Sequence, residues 1–380
     1  LGLYYKLIPE NSISGSNSSF NELKLKKISN NLFISDTLKT SGPVGFGINS
    51  FDRMNNTWNK MGLSNIKTNI DGNEIFNMDL NSFSYDEWRH INTFIDYPYY
   101  KNKKIKIQKL YIEEFNPLDM YKRSLGDGVV KINETNVTYL YSVKLFDFNK
   151  NQSEILVPIQ WVKQNDLSNR KLDFENMFKV NKDSTYNFKF PGAKVSIEKN
   201  SFYTDKIIQI FGENNLLHVD KDSIPLLKAI TIKMDVSRYN DSIRNKTYID
   251  RVGENKKSSF VSSKKEDNYV IAKVNNLGDF MIKVDSIKPN ITVINISDNQ
   301  WISNRKNLSI KISDNESGIN NYRGTINDKW ILLEYNAMKG ILTYDFNDNV
   351  NRNDTKNILE IKIEDNVGNV KNLTKTFYRK

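Results

Sequence analysis

Leu359-Glu-Ile361-Lys-Ile363-Glu-Asp365-Asn366-Val-Gly368-Asn369 alternates apolar and charged residues, then runs into Asp, Asn and Gly. Period-two alternation marks a strand with one buried face, and the residues that follow tolerate the tight turn after it. Tyr141-Ser-Val143-Lys-Leu145-Phe-Asp147-Phe-Asn149-Lys-Asn151 repeats the pattern more than two hundred residues earlier. Each stretch reads as the last hairpin of a β-sandwich, and the sandwich occurs more than once.

A second pair of matches lies upstream of each hairpin. Phe46-Gly-Ile48-Asn-Ser-Phe51-Asp52 leads to Gly62-Leu63, and Ile310-Lys-Ile312-Ser-Asp314 leads to Gly318-Ile319; both are a strand, an acidic turn, then Gly with an apolar residue. Asp71-Gly72 adds a hairpin signal, and the glycines around Phe46 allow close backbone approach. With 380 residues the chain exceeds one small sandwich. The predicted fold class is all-β: three tandem, immunoglobulin-like β-sandwich modules at 1–161, 184–287 and 288–380, with a linker at 162–183.

The first module differs by an aromatic insertion at about 77–126, where Asp86-Glu87 suits the start of a short helical turn. Trp88, Tyr97, Tyr99 and Tyr100 are its candidate partner-binding residues, because Trp and Tyr dominate binding hot spots; such clusters also pack a long loop onto its own domain. Lys101-Asn-Lys103-Lys104-Ile105-Lys106-Ile107-Gln-Lys109 reads as an edge strand with lysines on its solvated face. One helical turn is expected at Asp173–Phe178, and Asn255–Asp267 reads as solvated hairpin loops. The second sandwich is drawn from Tyr186–Phe190, Val195–Ile197, Ile207–Ile210, Ile230–Met234 and Phe280–Val284.

Chemistry is sparse. The chain has no cysteine and only two histidines, His90 and His218, without His-x-His or His-Glu-x-x-His spacing. Thiolate sites and disulfides are excluded, and no zinc-ligand motif stands in these residues. No Gly-x-Ser-x-Gly elbow, P-loop or dinucleotide glycine pattern is present. Glu113 and Glu114 are adjacent, so on a strand they point to opposite faces and cannot share a substrate. His218 reads as a surface strand histidine.

Asp314, Glu316 and Asp365 are weak calcium candidates, because acidic oxygens gather at what could be one end of the last module. Asp52 and Asp147 occupy matching places in the first. Capping of turns by the same carboxylates is the competing explanation and the favoured one. The formal charge of +10 suits an anionic partner, but neither a helix-turn-helix nor an arginine–aromatic pattern supports nucleic acid. No apolar run approaches the ~20 residues of a transmembrane helix. The chain begins at Leu1 inside a strand-like run, so a targeting signal and a further domain are expected upstream.

Residues from about 20 to 160 resemble the region that follows the catalytic domain in lysostaphin-type (LytM) zinc endopeptidases of Flavobacteria and other Bacteroidetes. The resemblance is carried by Leu25-Lys-Lys-Ile28, Gly45-Phe46-Gly47-Ile48-Asn49-Ser50-Phe51-Asp52-Arg53, Phe83-Ser-Tyr85-Asp86-Glu87, Ile91-Asn92, Ile95-Asp96-Tyr97 and Gln108-Lys109-Leu110. It implies an exported periplasmic or outer-membrane-associated protein whose zinc-bearing domain, with His-x-x-x-Asp and His-x-His ligands, would lie upstream. No catalytic residue or cofactor carries over. Asp36-Thr37-Leu38, Asp222-Ser223-Ile224, Asp241-Ser242-Ile243 and Asp285-Ser286-Ile287 resemble the short O-glycosylation motif of that phylum, with Thr37, Ser223, Ser242 and Ser286 as acceptors. The expectation is a non-catalytic interaction and positioning region, bound to an envelope protein, an outer-membrane complex or peptidoglycan. A regulatory region of an active peptidoglycan endopeptidase and a glycan-binding array are its rivals.

Overall fold

The computed structural model describes residues 1–380 except 9–18, 54–58, 81–83, 115, 122, 164–174, 214, 254–257 and 348–353. Both quoted stretches are hairpins. Thr138–Phe146 pairs antiparallel with Gln152–Trp161, and Lys356–Asp365 pairs antiparallel with Val370–Tyr378. Tyr141, Val143 and Leu145 are buried in one; Leu359, Ile361 and Ile363 are buried in the other, as the alternation requires.

Three sandwiches result, each built on its own hydrophobic cluster. In the first, a four-stranded sheet runs Gln108–Lys109, Val44–Asn49, Gly2–Leu7, Asn21–Leu23. It faces a larger sheet ordered Asn73–Asp79, Asn65–Ile70, Thr138–Phe146, Gln152–Trp161, Leu32–Ser35, Leu25–Lys27. Phe46 stacks on Tyr141 across the two layers, ring centroids 4.1 Å apart. The glycines beside Phe46 act as expected: a Cβ on Gly47 would lie 2.5 Å from Ile107 Cγ2.

The second module packs a six-stranded sheet (Met177–Val180, Lys206–Glu213, Leu216–Val219, Gly278–Val284, Thr247–Val252, Ser258–Val261) on a five-stranded one (Tyr186–Phe190, Ala193–Ile197, Ile230–Asp235, Tyr269–Val274, Ser263–Glu266). The third sets Asn290–Val293, Asn307–Ser313, Ile341–Asp345 and Glu334–Asn336 against Gln300–Trp301, Val370–Tyr378, Lys356–Asp365, Ile319–Ile326 and Lys329–Ile331.

Four local expectations change. Lys101–Lys109 is not a lysine-faced strand: Tyr97–Lys103 is helical, and only Gln108–Lys109 joins a sheet. Asp96 caps that helix by accepting from Tyr99 N at 2.9 Å, Pro98 sits in its first turn, and Lys104 ends it in the left-handed region at φ 61°. Those start and stop signals outweigh alternation among lysines. Of the expected helical turn at 173–178, the described residues form a turn with Asn176 at φ 60° followed by the strand Met177–Val180. That strand pairs with Lys206–Glu213, so the second sandwich starts inside the expected linker. Ser258–Val261 and Ser263–Glu266 are edge strands rather than loops, one in each sheet, with the chain crossing between layers at Ser262. The Ser- and Asn-rich stretch Asn11–Ser19, whose composition signals a turn, lies almost wholly outside the described residues.

Candidate functional site at the module junctions

The aromatic insertion folds as a 3-10 turn, Tyr85–His90, followed by the short helices Ile91–Phe94 and Tyr97–Lys103. As the acids suggested, Asp86 and Glu87 lie in the first turn, where Ser84 caps Asp86 N. The insertion meets the second module. Tyr203 donates its hydroxyl to Arg89 O at 2.5 Å, and its ring lies edge-on to His90 with centroids 5.4 Å apart. Arg89 Nη1 donates to Leu227 O at 2.9 Å, and Lys101 pairs with Asp222 at 3.1 Å. Burial lowers the His90 pKa, with Glu87 opposing.

Charged groups continue the junction. Lys6 pairs with Asp96 at 3.3 Å and Lys109 with Glu113 at 2.5 Å, and Lys206 of the second module feels Glu113, Lys109 and Lys6. Burial lowers the pKa values of Lys6 and Lys206, while Asp96 and Glu113 respectively pull them back up. Tyr111, buried against the same carboxylates, has its phenol pushed up, by burial first and then by Glu113. Ionic pairs of this sort add little net stability, because desolvation offsets much of the attraction.

The second junction is made of turns. Asp285, 1 % exposed at the end of the second module, accepts from Ser317 Oγ at 2.6 Å and Ser317 N at 3.1 Å. Asn369 donates its side-chain amide to Asp285 O at 3.0 Å and to Asp365 Oδ2 at 2.7 Å. Tyr248 donates to Glu316 at 3.0 Å, and Lys246 Nζ reaches Val367 O at 3.1 Å. Burial raises the Tyr248 pKa, and Glu316 adds to it.

Here three carboxylates gather: oxygens of Asp285, Asp314 and Asp365 all lie within 4.8 Å of one another. Oxygen ligands in such a group suit a hard divalent cation. Each carboxylate also accepts from backbone amides: Asp285 from Ile287, Asp314 from Glu316 and Gly318, Asp365 from Val367 and Asn369. Turn capping therefore accounts for all three. Burial raises the Asp314 pKa, the amides oppose it, and Asp285 and Asp365 add to it.

Of the calcium candidates, Asp314 and Asp365 come together while Glu316 is turned to Tyr248. Sequence reasoning left out Asp285, whose position at a module border was its one signal. Asp147 caps its own turn through Asn151. Among the partner-binding candidates, Tyr99 packs edge-on to Tyr4 at 5.9 Å, and lysines lie over Tyr97 and Tyr100. Trp88 alone of the four is largely open, 50 % exposed with Arg89 beside it. Thr37, Ser242 and Ser286 are exposed, whereas Ser223 is buried at 9 % and closed to a sugar in the folded chain. His218 stacks on Phe211 and meets Asp279 at 2.6 Å, and neither histidine belongs to a metal-ligating group among the described residues.

No helix among the described residues is long and apolar enough to cross a membrane. No curated protein matches the chain. Among solved structures, an endo-β-1,4-mannanase from Thermotoga petrophila aligns with TM-score 0.22 and 13% identity over 25% of this chain and 20% of that one. Four immunoglobulin domains of Sidekick-1 align with TM-score 0.19 and 7% identity over 100% of this chain and 90% of theirs. Drosophila N-cadherin EC1-3 gives TM-score 0.17 and 12% identity over 91% and 99%. The chain thus spans a fifth of the mannanase and most of the Sidekick-1 and N-cadherin fragments. The chain is an array of tandem β-sandwiches, and residues 175–285, the second of them, match the Zu5-like domain family.

Proposed function

We propose that the chain is a non-catalytic interaction and positioning region of a bacterial cell-envelope protein, three sandwiches that hold partner-facing surfaces in a fixed relation. The observation that carries this reading is the use of the aromatic insertion: its backbone and side chains dock the second module through Arg89, Tyr203, Lys101 and Asp222. A segment spent on holding two modules in register serves alignment rather than turnover. Small-angle scattering of the native chain and of a Tyr203→Ala, Asp222→Ala double variant tests it. A single compact arrangement that the variant loosens supports positioning; identical, freely articulated profiles refute it.

Placement in the periplasm or at the outer membrane, with an envelope protein as partner, rests on the resemblance of residues 20–160 to the post-catalytic region of zinc endopeptidases. That resemblance also favours a second reading, restraint of a peptidase domain upstream of Leu1. Reading the upstream coding sequence for His-x-x-x-Asp and His-x-His, then assaying the whole protein on peptidoglycan, separates the two.

A further inference from the structure

The outer face of the second module's five-stranded sheet carries lysines as direct cross-strand neighbours. Lys189 pairs with Lys194, Lys194 with Lys233, Lys233 with Ile271, and Ile271 with Lys264. All belong to one face, because the residues alternating with them (Phe188, Phe190, Val195, Ile232, Met234, Val270 and Ala272) pack into or against the core. Four lysines therefore form one row across five strands, about 19 Å long at about 4.8 Å per strand step. Lys273 adds a fifth cation one row away, where it pairs with Thr231. The acids on the face are Asp235, which accepts from Ser237 N, and Glu266, bound to Lys264 and within electrostatic reach of Lys233.

Like charges directly opposite each other on adjacent strands destabilise a sheet. Lysines that guard a sheet against aggregation belong on its edges, yet Lys194 and Lys233 occupy interior strands. The row thus costs stability where edge protection gives no reason for it. Its ring contact is internal: Lys194 Nζ lies 4.4 Å over Tyr269. Tyr269 is thereby covered, so the face offers no open platform for stacked bases. Ile271, the apolar residue of the row, is only 8 % exposed, so nothing on the row inserts into a bilayer.

We propose that this row is a binding site for an extended polyanionic polysaccharide lying across the strands, its sulfate, phosphate or carboxylate groups meeting successive lysines. The proposal goes beyond the positioning role and is independent of it, since the row lies outside the junction contacts described above. Binding is electrostatic, so affinity falls steeply with salt, about 10²-fold between 50 and 200 mM for four contacts on the counterion-release scale.

Fluorescent heparin, with neutral dextran and phosphatidylglycerol vesicles as comparison probes, tests it on the full chain. Heparin is expected to bind and dextran not to, and Lys194→Glu and Lys233→Glu are each expected to weaken heparin by about tenfold. Circular dichroism of the same two variants should match that of the native chain, so that a loss of heparin binding reports the charge of the row and not unfolding. Lys371→Glu, exposed on the third module, provides the equal-charge control and should change affinity less than about twofold. Unchanged heparin affinity in the row variants overturns the proposal. So does an equal loss in the control, or row-dependent capture of vesicles without heparin binding, which would make the partner a membrane.

Discussion

Asn369 grips Asp365 with both of its amides, backbone N to Oδ1 and side-chain Nδ2 to Oδ2, each at 2.7 Å. Asn151 grips Asp147 in the same way at 2.8 and 2.7 Å, and Gly368 and Lys150 turn the chain with φ of 79° and 65°. One turn is thus used twice, closing the final hairpin of the first and the last sandwich. Its two copies differ in setting: Asp365 is fully buried, Asp147 is at the surface. Asp365→Ala strands two buried backbone donors, Val367 N and Asn369 N, while Asn369 Nδ2 keeps the Asp285 carbonyl, so the last module should lose about 2–4 kcal/mol in denaturant unfolding. Asp147→Ala should cost much less, because water takes over its donors.

Asp314 offers a charge-relief test. Its folded pKa is raised, so the folded chain binds the proton more tightly than the unfolded chain and this group's contribution improves as pH falls. The deficit is full above the folded pKa and gone below the unfolded value, near 4. Asp314→Asn keeps an acceptor for the Glu316 and Gly318 amides while removing the charge. The variant should melt higher than the native chain at pH 7, with the difference closing toward pH 4; an equal gain at both ends rejects the electrostatic cause.

At the first junction, Tyr203→Phe removes the hydroxyl that reaches Arg89 O but keeps the ring on His90. The loss should be about 1 kcal/mol of module docking. Hydrogen exchange should report it as faster labelling within Tyr85–His90 and no change in the third module.

His90 gives that junction a pH dependence. Its folded pKa is lowered, so its contribution is fully present above the unfolded value, near 6.5, and is lost as pH falls through the folded one. Glu87 is the charged group that opposes the shift. Exchange protection at Tyr85–His90 should therefore decline as pH drops below 6.5, with labelling corrected for intrinsic rates, and His90→Gln should flatten that decline.

Legibility followed periodicity. Leu359–Ile363 declared its buried face because its other side is solvated, Tyr141–Leu145 because polar Ser142 and Lys144 alternate with its core residues, and Phe46 flanked by glycines announced close packing that Ile107 supplies. Ser258–Glu266 hid two strands: at the rim of each sheet neither face is deeply buried, so polar residues satisfy both and no alternation remains. Lys101–Lys106 misled because alternation among lysines carries no hydrophobic period, whereas Asp96 and Pro98 just upstream held the helix signal. Asp285 escaped because its partners, Ser317 and Asn369, are 32 and 84 residues away in the chain. The lysine row escaped for the same reason: Lys189, Lys194, Lys233 and Lys264 become neighbours only through strand register.

The bond from Asn369 to the carbonyl of Asp285 has a practical meaning for anyone cutting or recombining this protein. The last sandwich begins at Asn290 as a sheet, yet its closing turn is completed by residues that precede it. A fragment trimmed at the sheet boundary would leave Ser317 without its acceptor and Asn369 without the carbonyls of Asp285 and Ile287, so any transplant of that unit must carry the short stretch from Asp285 to Ile287 along with it.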